Sequence, residues 1–154
     1  MRTSCMGNYY EDFMVGETIQ HAITKTIFES DNNLFCLLTM NHHPLHLNTD
    51  YALHTQHGKI LVVGTLVFSI VVGMTVQDIS GKAVANLEYE EIKHLAPVYL
   101  NDTLYAMTKI LDKKPSRTKN DRGIVHVETI ARNQNGIDVL SFRRKVLVLK
   151  KEGV

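Results

Sequence analysis

LVVGTLVFSIVVGMTV, from Leu61 to Val76, is the most apolar stretch of this 154-residue chain, and its reading decides the fold. Its apolar residues occupy every side of a helical wheel, the pattern of a helix buried all round. Val and Ile are frequent enough to admit a buried strand, but the length favours a helix. The stretch falls short of the ~20 residues that cross a bilayer. It also carries Gly64, Gly73 and the hydroxyls of Thr65, Ser69 and Thr75. It is therefore read as the central helix of a globular domain, with Gly64 and Gly73 admitting other backbone closely.

Downstream, the chain reads as strands. Ala83–His94 alternates in part, Leu104–Leu111 is a further strand, and Ile124–Arg132 and Ile137–Leu149 flank NQNG at Asn133–Gly136. Asn-Gly between two β-like runs signals a hairpin. Lys113–Gly123 is a polar, basic turn or loop. Upstream, Glu17–Ile27 is rich in Thr and Ile and reads as one strand. Ser30 reads as the N-cap of a helix reaching about Thr39, with Asp31 in its first turn. Pro44 cannot continue a helix, so Met40–His46 is expected to be loop or a broken turn. A short helix is expected around Asp50–Thr55. The sum is an α+β domain in which an antiparallel sheet wraps round a central buried helix. No repeat, linker or low-complexity tract divides residues 1–154, so a single domain is expected.

Composition narrows the function. The formal net charge is +1, with 44% hydrophobic and 21% charged residues, so no global field selects nucleic acid or an anionic membrane. The basic residues are not interleaved with aromatics, which argues against nucleic acid. Cys5 and Cys36 lack metal-ligand spacing and read as free thiols of a reducing compartment. Met1–Tyr10 holds no apolar run, so no secretory signal is read there, and a cytoplasmic protein is expected. His42, His43, His46, His54 and His57 cluster, but there is no HExxH or CxxC. No metal is expected.

Four segments carry a resemblance. LLTMNHHPLHLNTDYA at Leu37–Ala52 resembles the hydratase motif of the MaoC-like branch of the hotdog superfamily. In that motif an Asp precedes by five residues a His set within Pro-Leu-His. HGKILVVG at His57–Gly64 resembles the family's entry to its central helix. APVYLNDTLYA at Ala96–Ala106 resembles a later strand entry, and RNQNGIDVLSF the last hairpin. The match spans about Tyr10 to Leu149. It implies a hotdog fold and reversible hydration of an enoyl-CoA thioester. It also implies no cofactor beyond that substrate, and at least a homodimer. The Thr-Met-Asn reading is most similar to a sub-branch acting on short, branched or dicarboxylic thioesters of mesaconyl or itaconyl type.

Carried over by position, His46 is the family His, Gly64 the helix-start residue, and Asn41 stands where the Asp is expected. Hydration needs a base for water and charge stabilisation at the thioester oxygen as an enolate develops. His46 serves as acid/base near neutral pH. Asn41 cannot take a proton but can orient water. The Gly64 N–H at a helix start suits an oxyanion. Met40, His43, Pro44, Val63 and Thr65 are the expected acyl-pocket residues, and Lys114 and Arg117 the expected partners of CoA phosphates. Two further readings stay open: a hotdog thioesterase, and a catalytically silent acyl-CoA-binding homologue.

Overall fold

The computed structural model of the chain describes residues 7–151. Cys5, and most of the stretch read for a leader, lie outside them. The sheet is antiparallel, in the order β1 (Thr18–Gln20), β4, β5, β6, β3, with a short β2 (Lys25–Thr26) also pairing with β4. Its long strands are β3 (Ala83–His94), β4 (Thr103–Pro115), β5 (Arg122–Arg132) and β6 (Asp138–Leu149). Along β5 burial alternates strictly, with Val125, Val127, Thr129 and Ala131 inward. Phe142, Val146 and Val148 of β6 do the same. A period of two on one face is what a half-buried strand imposes.

Against that face lies the central helix, α4 (Gly64–Met74). Leu66, Val67, Val71 and Met74 are buried against the sheet. Each such side chain contributes about 1.5–3 kcal/mol of burial. Phe68 is wedged edge-on between Tyr89 and Phe142, at ring distances of 5.2 and 5.1 Å. This is the expected hotdog architecture, and the hairpin signal holds as well. Gly136 sits at φ +76°, and the Asn133 side chain accepts the N–H groups of Asn135 and Ile137.

Several local expectations are corrected. The helix does not fill Leu61–Val76, because Leu61–Val63 is extended, bridged to Tyr99 and bonded to Val98. Nor is it buried on every side. Thr65, Ser69 and Gly73, one turn apart, stay exposed because a single sheet wraps only half of the cylinder. Glu17–Ile27 is two strands, β1 (Thr18–Gln20) and β2 (Lys25–Thr26). The break follows His21, whose buried ring turns inward to Asp78 Oδ2 (2.6 Å) and Thr108 Oγ1 (2.7 Å). The β4 strand runs on to Pro115, so the basic loop is shorter than expected.

The helical segment before α4 also differs from expectation. α1 (Glu29–Thr39) starts ahead of Ser30, and Asp31 Oδ2 closes its first turn by accepting the Phe28 N–H at 2.9 Å. Pro44 begins a one-turn helix, α2 (Pro44–Leu47), and does not break one. Its ring fixes φ and its missing N–H is an orphan at that position anyway. α3 (Thr49–Leu53) follows, capped by Asn48. Among the described residues no helix is long and apolar enough to cross a membrane.

Candidate active site at the head of the central helix

His46 is the third residue of α2. Its Nδ1 lies 2.6 Å from the Leu61 carbonyl oxygen. A carbonyl oxygen can only accept, so Nδ1 carries the proton. In its uncharged form such a ring presents Nε2 as a lone-pair base, with its tautomer fixed by the backbone. His43, the N-cap of α2, is committed differently: its Nδ1 accepts the Leu45 N–H at 3.2 Å.

The head of α4 is held to the same segment by Asn32. This side chain is fully buried on α1. Its Nδ2 donates to the His46 carbonyl oxygen at 2.9 Å, and its Oδ1 accepts the Val63 N–H at 3.1 Å. One amide thus ties the base to the helix start. The first intrahelical donor after it is Leu66, bonded to Val63 O. Gly64 and Thr65, ahead of it, have no intrahelical acceptor. Their N–H groups add to the positive end of the helix dipole.

These parts meet in a cavity of about 230 Å³. His46, Gly64 and His94 line it, and the remaining wall is Leu61, Val62, Val67, Ala96, Pro97 and Val98. An apolar pocket with few convergent polar groups is the usual form of a small-molecule site. A neighbouring groove shares Ala96 and Pro97 with it and runs to Lys59 and Tyr99. There Lys59 Nζ stands 4.1 Å from the Tyr99 ring centroid.

The residues expected from the sequence fall into two groups. His46 and Gly64 face one cavity. Asn41 is half-buried, its N–H bonded to Cys36 O just past the left-handed Met40 that ends α1. It is not part of the cavity wall. Met40 is 79% exposed, Thr65 and His43 are exposed, Val63 is buried beneath the helix start, and Pro44 sits at the start of α2. Lys114 lies at the far end of β4, roughly 35 Å of strand from Thr103. Arg117 lies in the turn beyond it. Neither lines the cavity that holds His46.

Two residues were not singled out from the sequence: Asn32, which looks like any polar residue in a helix, and His94, which ends β3. Four other basic residues are already committed. Arg143 pairs with Glu128 and Glu91, Lys145 with Glu88 and Glu90, and Arg122 with Asp121. Arg144 is fully buried. Burial also raises the Cys36 thiol above its ordinary pKa, which keeps it protonated and unreactive. Among the described residues no group of three or more His, Cys, Asp or Glu is placed to hold a metal ion.

Comparison with known proteins identifies the chain's family. The family model for a MaoC-like domain matches residues 12–133. The mesaconyl-CoA hydratase of Cereibacter sphaeroides is 36% identical over 152 residues, covering 99% of this chain and 44% of that protein. The beta-methylmalyl-CoA dehydratase of Chloroflexus aurantiacus is 36% identical over 146 residues, covering 95% of this chain and 41% of that protein. A solved MaoC domain protein of Chloroflexus aurantiacus superposes with a TM-score of 0.92 at 35% identity, over 99% of this chain and 43% of that one. The chain thus spans less than half the length of these relatives.

Proposed function

For a chain that belongs to the MaoC-like domain family, we propose reversible hydration of an enoyl-CoA thioester as its activity, which makes it a hydro-lyase. The observation that carries this reading is the shared cavity, which is lined by an oriented imidazole, His46, and by Gly64 at the start of the central helix, between apolar walls. With the thioester oxygen at the Gly64 N–H, the double bond extends toward His46. His46 Nε2 takes a proton from water as the hydroxyl adds to the β-carbon. The growing enolate charge falls on the oxygen, where the helix dipole stabilises it. The α-carbon is then protonated and the base is restored. Asn41, which does not line this cavity, is proposed to orient the water only on the strength of its position in the motif, through a side-chain amide that gives and accepts hydrogen bonds.

The proposed substrate is short and branched or dicarboxylic, of mesaconyl type. Two relatives named for mesaconyl-CoA and beta-methylmalyl-CoA support it. The groove toward Lys59 offers the CoA arm a cation close to the cavity, whereas Lys114 and Arg117 would have to act from a second copy. A thioesterase is disfavoured because no carboxylate lines the cavity. Asp31 is tied to Lys25 and to the Phe28 N–H, and Asp50 is exposed on α3.

The protein is further proposed to work in the cytoplasm as a homodimer or higher homo-oligomer. The β3 edge exposes Val84, Leu87, Tyr89 and Ile92, and α1 exposes Leu34, Leu37 and Leu38. Long apolar edges of this kind call for a partner.

The test is direct. Crotonyl-CoA and mesaconyl-CoA are incubated with the protein, and enoyl absorbance and free thiol are followed together. Loss of absorbance without thiol supports hydration. Thiol release points to a thioesterase, and neither signal with CoA binding retained points to a silent homologue. Light scattering of the eluted protein reads the oligomeric state.

A further inference from the structure

His94 is the polar group of the cavity with no role so far. It closes β3, and its ring lies across the first residue of α4. A Cβ added at position 64 would stand 2.9 Å from both Cε1 and Nε2 of this imidazole. Glycine at 64 is therefore what lets the ring settle against the helix head, at the residue whose N–H has no intrahelical acceptor. His46 spends one nitrogen on Leu61 O, and His21 both of its own on Asp78 and Thr108. The His94 ring, by contrast, hydrogen-bonds to no group among the described residues. It is also solvent-accessible and faces the cavity.

We propose that His94 is a second hydrogen-bond donor to the thioester oxygen, acting with the Gly64 N–H. The proposal rests on the enoyl-thioester reading of the site. One donor is a minimal oxyanion site, and stabilisation grows when several fixed donors converge where charge develops. Imidazole supplies an N–H whether neutral or protonated, so the contact survives across the working pH range. The rest of the wall is aliphatic or proline, so His94 is the side chain placed to share this charge.

Two measurements test it, on wild type, His94→Ala and His94→Gln. The residue ends an edge strand and is exposed, so unchanged melting curves are expected for both variants. The first measurement is the infrared carbonyl stretch of bound butyryl-CoA labelled with carbon-13 at the thioester carbon. Wild type is expected to lower this frequency, Ala to lose a clear part of the shift, and Gln, which keeps an N–H donor, to recover some of it. The second is crotonyl-CoA hydration. For Ala, kcat is expected to fall roughly 10- to 100-fold, less than the loss for a fully buried oxyanion donor, with KM changed little.

A shift and a kcat that ignore His94→Ala overturn the donor role and leave hydration standing. A Gln variant as impaired as Ala in the spectrum also overturns it, as does a wild type that produces no shift. A wild type inert toward crotonyl-CoA and mesaconyl-CoA, but with a shift that depends on His94, sinks the hydratase reading and keeps the donor.

Discussion

The two ends of α4 are finished in opposite ways. At its C-terminal end the chain closes the helix itself. Thr75 bonds back to Val72 O, and the fully buried Arg144 donates from Nη2 to Thr75 Oγ1 at 2.7 Å and from Nη1 to Asn86 at 3.3 Å. Arg144 has no carboxylate partner among the described residues. Burial pulls its pKa below the ordinary guanidinium value, opposed by Tyr89. A cation at the negative end of a helix is the favourable pairing. At the N-terminal end the capping position holds Val63, which offers no side-chain acceptor, and the first helical residue, Gly64, lines a cavity. A third terminus confirms that the open one is unusual here. α1 starts with Asp31 across its first turn, and Lys25 Nζ stands 2.5 Å from the same carboxylate. The difference supports the proposed ligand position: the helix end without a capping side chain is the one that lines the cavity.

The largest effect should come from cutting the link that holds the open end to His46. Asn32→Leu strands the Val63 N–H and the His46 carbonyl in a buried place. About 2–5 kcal/mol of stability should be lost, since each unsatisfied group costs ~1–3 kcal/mol. Urea unfolding reads the loss, and a change below ~1 kcal/mol would remove Asn32 from the account.

At the closed end, Arg144→Met should do far less. A buried charge without a carboxylate carries a desolvation cost that an apolar side chain of similar length avoids. Thr75 and Asn86 lose a partner in exchange. The net change is expected within about 1 kcal/mol by the same measurement. A loss several times larger would show that the cation is essential to closing the helix.

The smallest effect concerns α1. Lys25 and the Phe28 N–H hold the Asp31 carboxyl below its ordinary pKa. A group whose folded pKa is depressed adds stability above its unfolded pKa, near 3.9, and loses it as pH falls through the lower folded value. Asp31→Asn should cost about 0.5–1 kcal/mol at neutral pH, and this difference should shrink as the medium is acidified below about pH 4. A difference independent of pH would mean that Asp31 acts without its charge.

How much of this was readable beforehand follows from the range of the interactions. The apolar run at Leu61–Val76, the NQNG turn and the alternation of the later strands are local patterns, and each names its element. His46 and Gly64 carry the family motif in short segments. The rest was hidden because it depends on distant partners. Asn32 matters only through His46 and Val63, 14 and 31 residues away. His94 matters because β3 ends over Gly64. Pro44 was read by its general habit of ending helices, and the opposite use, at a first turn, could not be chosen without knowing that His43 caps it. The exposed Thr65, Ser69 and Gly73 row shows only once the sheet is seen to cover one side of α4.

The central claim is that His46, oriented by Leu61 O, works on a thioester held at the open end of α4. The most direct measurement is the crotonyl-CoA hydration rate of His46→Ala and His46→Gln beside wild type, with folding checked by thermal melts. A loss of at least about 10²–10⁴ in kcat, with melting nearly unchanged, is expected for both variants, because neither alanine nor an amide can take the proton. Near-normal turnover in either variant would contradict the claim.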